Sequence, residues 1–222
     1  LPGEGRPEPV DMATLLRDNP RLVITGAPGC GKTTFLYVIA SMLARGLLTG
    51  RTEEAQKLLG LPLPLPLPVY ISLGDYNRYR LGPQAAADPE HGTLLAYARY
   101  ALIRQLGGLR LPRDFFERLL TQGQACVFLL DGLDEVVDDI GRMVVTSRTR
   151  AYVGESKLPP TFRRAEVQPM TPEQVNELAG RWCRAVYDPV DAPDETAQLQ
   201  AEIARLEAHR RARGEERRVA DT

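Results

Sequence analysis

The sequence predicts an α/β fold: a three-layer sandwich with a central, mainly parallel sheet, followed by the start of a helical domain. Two observations carry that expectation. Short apolar runs alternate with helix-length amphipathic segments, the pattern of parallel strands that return through helices. One run, Ala125 to Leu130 (ACVFLL), is apolar without interruption, as a strand covered on both faces must be. A chain of 222 residues is long enough for one such domain and part of another.

Each element has its own signal. Residues 1–10 are rich in Pro and Gly and read as a linker, after which Asp11 caps a short helix to Arg17 and Asn19-Pro20 ends it. Arg21 to Thr25 (RLVIT) is a buried strand, and Lys32 to Arg45 is a helix with Phe35, Leu36, Ile39, Met42 and Leu43 on one side. Thr52 to Leu59 forms another short helix. Leu61 to Pro68 (LPLPLPLP) is neither helix nor central strand, since its prolines lack donors and fix φ, so it reads as an extended lead-in to a strand from Val69 to Leu73. Its PxP spacing differs from the PxxP that proline-recognising domains read. Asp75 to Gly92 is polar and reads as a loop; Thr93 to Leu106 and Asp114 to Gln122 have helical spacing.

Met143 to Ser147 (MVVTS) is a further strand. Thr171-Pro172-Glu173-Gln174 combines an N-cap, a first-turn proline and a capping-box glutamine, and opens a helix to about Tyr187. A charged helix then runs from Pro193 to Arg213. Only eleven residues separate Asp131 from Met143, whereas parallel neighbours need a crossover of about a dozen or more. A crossover helix is therefore expected to be missing between Val136 and Arg142.

Composition narrows the function. The formal net charge of -1 favours neither nucleic acid nor an anionic membrane. The cysteines Cys30, Cys126 and Cys183 form no CxxC pair, which argues against a disulfide scaffold or zinc site and fits a reducing, cytoplasmic setting. No apolar run approaches the ~20 residues that span a bilayer, and the first residues have no signal-peptide pattern. The chain begins without Met and is expected to belong to a longer polypeptide. Its basic residues are almost all arginine, as GC-rich coding in a bacterium would give.

Three motifs carry chemistry. Gly26, Ala27, Pro28, Gly29, Cys30, Gly31, Lys32 and Thr33 read GAPGCGKT, a full match to GxxxxGK[ST] between a predicted strand and a predicted helix. Glycines let the backbone wrap around phosphates and aim N–H groups at them, and the helix adds its N-terminal dipole. Lys32 is the candidate for the β- and γ-phosphates, Thr33 for Mg²⁺, and Thr34 for a further phosphate contact. Cys30 reads as a small residue the loop tolerates. The buried strand then delivers Asp131 to the carboxyl edge of the sheet, where ligands bind in such folds. Asp131 suits Mg²⁺ through a water, and Glu135, with Asp134 as runner-up, suits polarisation of an attacking water. Last, Val144 to Arg148 (VVTSR) brings Arg148 to the same edge, where a guanidinium can read a γ-phosphate.

These motifs together resemble the NACHT family of STAND-class P-loop NTPases, through GAPGCGKTT, DGLDE at Asp131 to Glu135, TSRTRAY at Thr146 to Tyr152, LPVYISL before the polar loop, and Met170 to Trp182. The resemblance covers nearly the whole chain. It implies a nucleotide-binding domain over 11–170 and a truncated helical region over 171–222. The implied activity is slow ATP hydrolysis in a switch, closed with ADP and able to self-associate with ATP and Mg²⁺. Sensor and effector regions would lie outside this chain, and bacterial members often act in antiphage defence. The family also uses a Pro and a His from downstream regions, beyond Thr222. His91 and His209 read as surface residues, and Trp182 and Cys183 as helix core. Two other classes stay open: an AAA+-like remodelling ATPase and a nucleotide-binding module without turnover. No [NT]KxD guanine-reading element is present, and the choice of ATP over GTP comes from the resemblance.

Overall fold

The computed structural model describes residues 9–82, 92–107, 110–121, 125–133, 142–154, 157–186 and 192–220. The chain divides into two compact units, Leu1–Gln168 and Pro169–Thr222.

The first unit is built on a five-stranded sheet in the order β2-β3-β4-β1-β5. Its strands are β1 (Arg21–Gly26), β2 (Leu67–Ser72), β3 (Cys126–Asp131), β4 (Arg142–Arg148) and β5 (Arg163–Glu166). Every pair is parallel, so all the strands end at one edge. The helices are α1 (Met12–Asp18), α2 (Lys32–Thr49), α3 (Thr52–Leu59), α4 (Leu73–Arg80), α5 (Leu94–Gln105) and α6 (Phe115–Thr121).

Period-2 alternation divides the strand residues between two cores. Leu22, Ile24, Val127, Leu129 and Val144 pack with Leu36, Ile39 and Leu43 of α2 in a mainly aliphatic cluster. Val23, Val69, Ile71, Phe128, Leu130, Met143 and Val145 face the other way, onto Tyr76, Tyr97 and Phe116. Leu61 and Leu65 of the proline-rich segment are buried in the aliphatic cluster while Leu63 stays exposed, so that segment is anchored to the core. Strand β2 starts at Leu67, two residues before the expected Val69, and accommodates Pro68 because it lies at the sheet edge.

In this unit the sequence reading needs correction at two places. Asp75 to Gly92 is not all loop, because α4 runs through Arg80. Ser72 caps it by accepting from the Asp75 N–H, and Tyr76 and Tyr79 stack with Tyr97 of α5 at centroid distances of 5.7 and 5.2 Å. Tertiary packing of tyrosines outweighs the local polarity. Strand β5 was not expected at all: its RRAE sequence has no apolar run, and it forms by pairing its backbone with β1. The crossover question falls on residues 134–141, which lie outside the described residues.

The second unit pairs α7 (Pro172–Val186) with α8 (Ala192–Ala220). The capping box closes reciprocally: the Gln174 N–H donates to Thr171 Oγ1 (3.3 Å), and the Thr171 N–H to Gln174 Oε1 (2.9 Å). Ala179 and Cys183 are buried, but Trp182 is 61% exposed, against the expectation of core. Consecutive helical residues point about 100° apart, so burying Cys183 turns its neighbour outward. His209 is exposed, as expected, and His91 lies outside the described residues. No helix among the described residues is long and apolar enough to cross a membrane.

Candidate functional site

The GxxxxGK[ST] loop leaves β1 at Gly26 and enters α2 at Lys32. Gly29 and Gly31 have φ of 76° and 89°, a left-handed backbone that suits only glycine without strain. Gly26 is closely packed instead: a Cβ there would meet Cys30 Sγ at 2.5 Å and Val167 Cβ at 3.3 Å, so the cysteine side chain would have to move. Gly31 caps α2 with no side chain, and no acid stands in the first turn. The helix therefore presents its N–H groups and positive end to whatever occupies the loop. Ala27, Pro28 and Gly29 are exposed, as are Thr33 and Thr34 in the first turn of the helix. Lys32 folds over its own loop, its Nζ donating to the carbonyls of Gly26 (3.0 Å) and Ala27 (2.8 Å) and lying 3.6 Å from Cys30 Sγ. This arrangement concentrates donors and positive charge in one small loop.

Asp131, at the end of β3, meets that loop directly. Its Oδ2 accepts from Thr33 Oγ1 at 2.8 Å, across 98 residues of sequence. Two residues that sequence reasoning missed complete its surroundings. Thr146 of β4 donates to Asp131 Oδ1 at 2.5 Å while its oxygen accepts from the Gly132 N–H at 3.0 Å. Tyr70 of β2 donates to Asp131 Oδ2 at 3.3 Å. The strand register explains the convergence. Ser72 is paired with Asp131 and Leu129 with Val144, so Tyr70, Asp131 and Thr146 all fall on the α2 face of the sheet. The signal was partly in the sequence, since TSR and VYIS both place a hydroxyl near a strand end, but choosing among those hydroxyls requires the register.

Tyr70 also stacks on Tyr37 of α2, with centroids 4.8 Å apart. Its phenol is pushed well above the ordinary tyrosine pKa, first by burial, then by hydrogen bonding with Tyr37 and the charge of Asp131. It stays protonated, and so a donor, across the physiological range.

Arg148, the last residue of β4, is exposed and stands in register with Gly26 at the start of the loop. The Thr149 N–H donates to the Gly26 carbonyl at 3.3 Å. Ser147, between Thr146 and Arg148, points to the opposite face, where its hydroxyl makes longer contacts to the carbonyls of Leu133 (3.5 Å) and Arg148 (3.4 Å). The structure thus brings the loop, Lys32, Thr33, Asp131 and Arg148 to one end of the sheet. Asp134 and Glu135 lie outside the described residues.

The donor set fits a magnesium ion. Mg²⁺ takes hard oxygen ligands, usually one or two from protein, with water and phosphate filling the rest. A threonine hydroxyl and a carboxylate in direct contact beside a glycine loop are oxygen donors of that kind.

No protein-family model matches this chain, and no curated protein matches it. Among solved structures, the chain is similar to a signal transduction ATPase with numerous domains (STAND) that carries a tetratricopeptide repeat sensor, from Pyrococcus horikoshii. The two share 15% identity at a TM-score of 0.33, and the alignment covers 84% of this chain and 26% of that one. The chain thus spans about a quarter of that protein's length.

Proposed function

We propose that this chain is the nucleotide-binding part of a NACHT-type STAND switch, which binds ATP with Mg²⁺ and hydrolyses it slowly. The observation that supports this most is the 2.8 Å hydrogen bond between Thr33 of the GxxxxGK[ST] motif and Asp131 at the end of β3. It joins the two motifs that the resemblance pairs at a metal site, and unrelated glycine turns and acidic loops have no reason to meet.

The residues divide the work. The backbone N–H groups from Gly29 to Thr33 and the positive end of α2 hold phosphate oxygens, and Lys32 adds a point charge. Thr33 and Asp131 hold Mg²⁺, which when bound spreads the negative charge of the phosphates and favours in-line displacement. Glu135, with Asp134 as runner-up, orients or deprotonates the attacking water. Arg148, level with Gly26 in the sheet, senses the γ-phosphate and passes its presence to neighbouring elements. In the longer cytoplasmic protein expected here, the ATP state self-associates and engages an effector, in keeping with a role in antiphage defence.

Two variants test this reading. Lys32→Ala should weaken binding of a fluorescent ATP analogue by ~10–100-fold, as loss of a charged phosphate contact predicts, and lower the unfolding midpoint only slightly, through the lost bonds to the Gly26 and Ala27 carbonyls. Unaltered affinity would remove the loop from the site. Glu135→Gln should bind ATP·Mg²⁺ like the parent and hydrolyse it ~10²-fold more slowly. Turnover at the parental rate transfers the role to Asp134, and slow turnover without increased assembly of the full-length protein counts against the switch.

A further inference from the structure

The candidate cation pair is held by a side chain to which neither the motifs nor the resemblance gives a role. We infer that Tyr70 is a positioning residue, which fixes the Asp131 carboxylate against Thr33 for a divalent cation and is itself braced by Tyr37. The inference rests on reading Thr33 and Asp131 as that pair.

The geometry is a closed circuit. Asp131 sits on β3, between β2 and β4 in the sheet. From β4, Thr146 takes Oδ1 at 2.5 Å; from β2, Tyr70 takes Oδ2 at 3.3 Å. The carboxylate is thus gripped from both neighbouring strands, and Oδ2 is presented to Thr33 at 2.8 Å. A carboxylate has about four lone-pair sites, so three donors leave one for a water on a cation. Without the phenol, Asp131 can turn about its Cβ–Cγ bond toward Thr146 and draw Oδ2 away from Thr33. Tyr37 closes the circuit on the helix side: it lies one turn after Thr33 on α2, and its ring stacks on Tyr70 at 4.8 Å. The helix that carries Thr33 and the strand that carries Tyr70 are therefore tied together a few ångströms from the pair they align. Partners that orient a metal's ligands commonly control affinity by 10–100-fold when removed.

The test uses the whole chain, with Mn²⁺ as the cation followed by paramagnetic resonance and a fluorescent ATP analogue as the nucleotide. Tyr70→Phe keeps the stacked ring and deletes only the hydroxyl. Expected is about tenfold weaker Mn²⁺ uptake with saturating nucleotide, with nucleotide affinity in excess chelator and the unfolding midpoint both unchanged. Tyr37→Phe, which keeps the stacked ring and gives up only the hydrogen bond to the Tyr70 phenol, should lose much less. Parental Mn²⁺ affinity in Tyr70→Phe overturns the proposal. So does an equal loss of nucleotide affinity in chelator, because that marks general loosening rather than positioning. If the parent itself takes up no Mn²⁺ with nucleotide, the cation pair is wrong and the proposal falls with it. Uptake by the parent with an indifferent Tyr70→Phe sinks the proposal alone.

Discussion

The two faces of the sheet are built from alternate residues of the same strands, yet they do different things. On the face toward α2, an aliphatic cluster supports a polar end at which Thr146, Thr33 and Tyr70 donate to Asp131 at 2.5, 2.8 and 3.3 Å. On the other face, an aromatic-rich cluster of Phe116, Phe128, Tyr76 and Tyr97 ends at Ser147, whose hydroxyl has only distant carbonyls to address. Neighbours in sequence, such as Thr146 and Ser147, therefore belong to different systems. The α2 face carries the candidate chemistry because the loop after β1 leads into the helix on that side. The opposite face is left to hold the sheet together.

That division can be broken from either side. The largest effect expected on stability is at Phe128, fully buried on the aromatic face and 6.4 Å from the ring of Phe116. Phe128→Ala should cost ~3–5 kcal/mol by opening a cavity. Nucleotide affinity of the protein that remains folded should be unchanged, measured by denaturant unfolding alongside ligand titration. A parallel loss of affinity would mean the faces are not independent. Thr146→Val is a subtler change on the α2 face, leaving Asp131 Oδ1 and the Gly132 N–H without their shared partner. It should cost ~1–3 kcal/mol and weaken Mn²⁺ binding. Ser147→Ala, one residue away, should cost under ~1 kcal/mol and leave the cation untouched. Equal effects of these two on Mn²⁺ would erase the distinction.

The same division sets what could be read from sequence. Motifs confined to short stretches were legible: the GAPGCGKT loop, Asp131 after its apolar strand, and the Thr171 capping box each sit where local pattern puts them. Elements that depend on a distant partner were not. Strand β5 has no hydrophobic signature because an edge strand with one paired side needs none, and α4 is stabilised by tyrosines that become neighbours only in three dimensions. Tyr70 and Thr146 were visible only as hydroxyls near strand ends, for the same reason. Each is a hydroxyl on a strand, and its destination is decided by a register that a shift of one residue would reverse.

The proline-rich lead-in has a consequence for association. The Leu67 N–H donates inward to the Ala125 carbonyl, so the backbone of Pro68, the next residue, faces away from β3. A residue with no N–H thus stands on the open side of the outermost strand, where it costs the existing ladder nothing and denies an incoming strand a donor. At the other margin β5 is only four residues long, and three of them, Arg163, Arg164 and Glu166, are charged and exposed. Both borders carry features that disfavour strand addition, one a missing hydrogen and the other exposed charge. Such features are how sheets resist the edge-to-edge growth that turns crowded chains into fibrils.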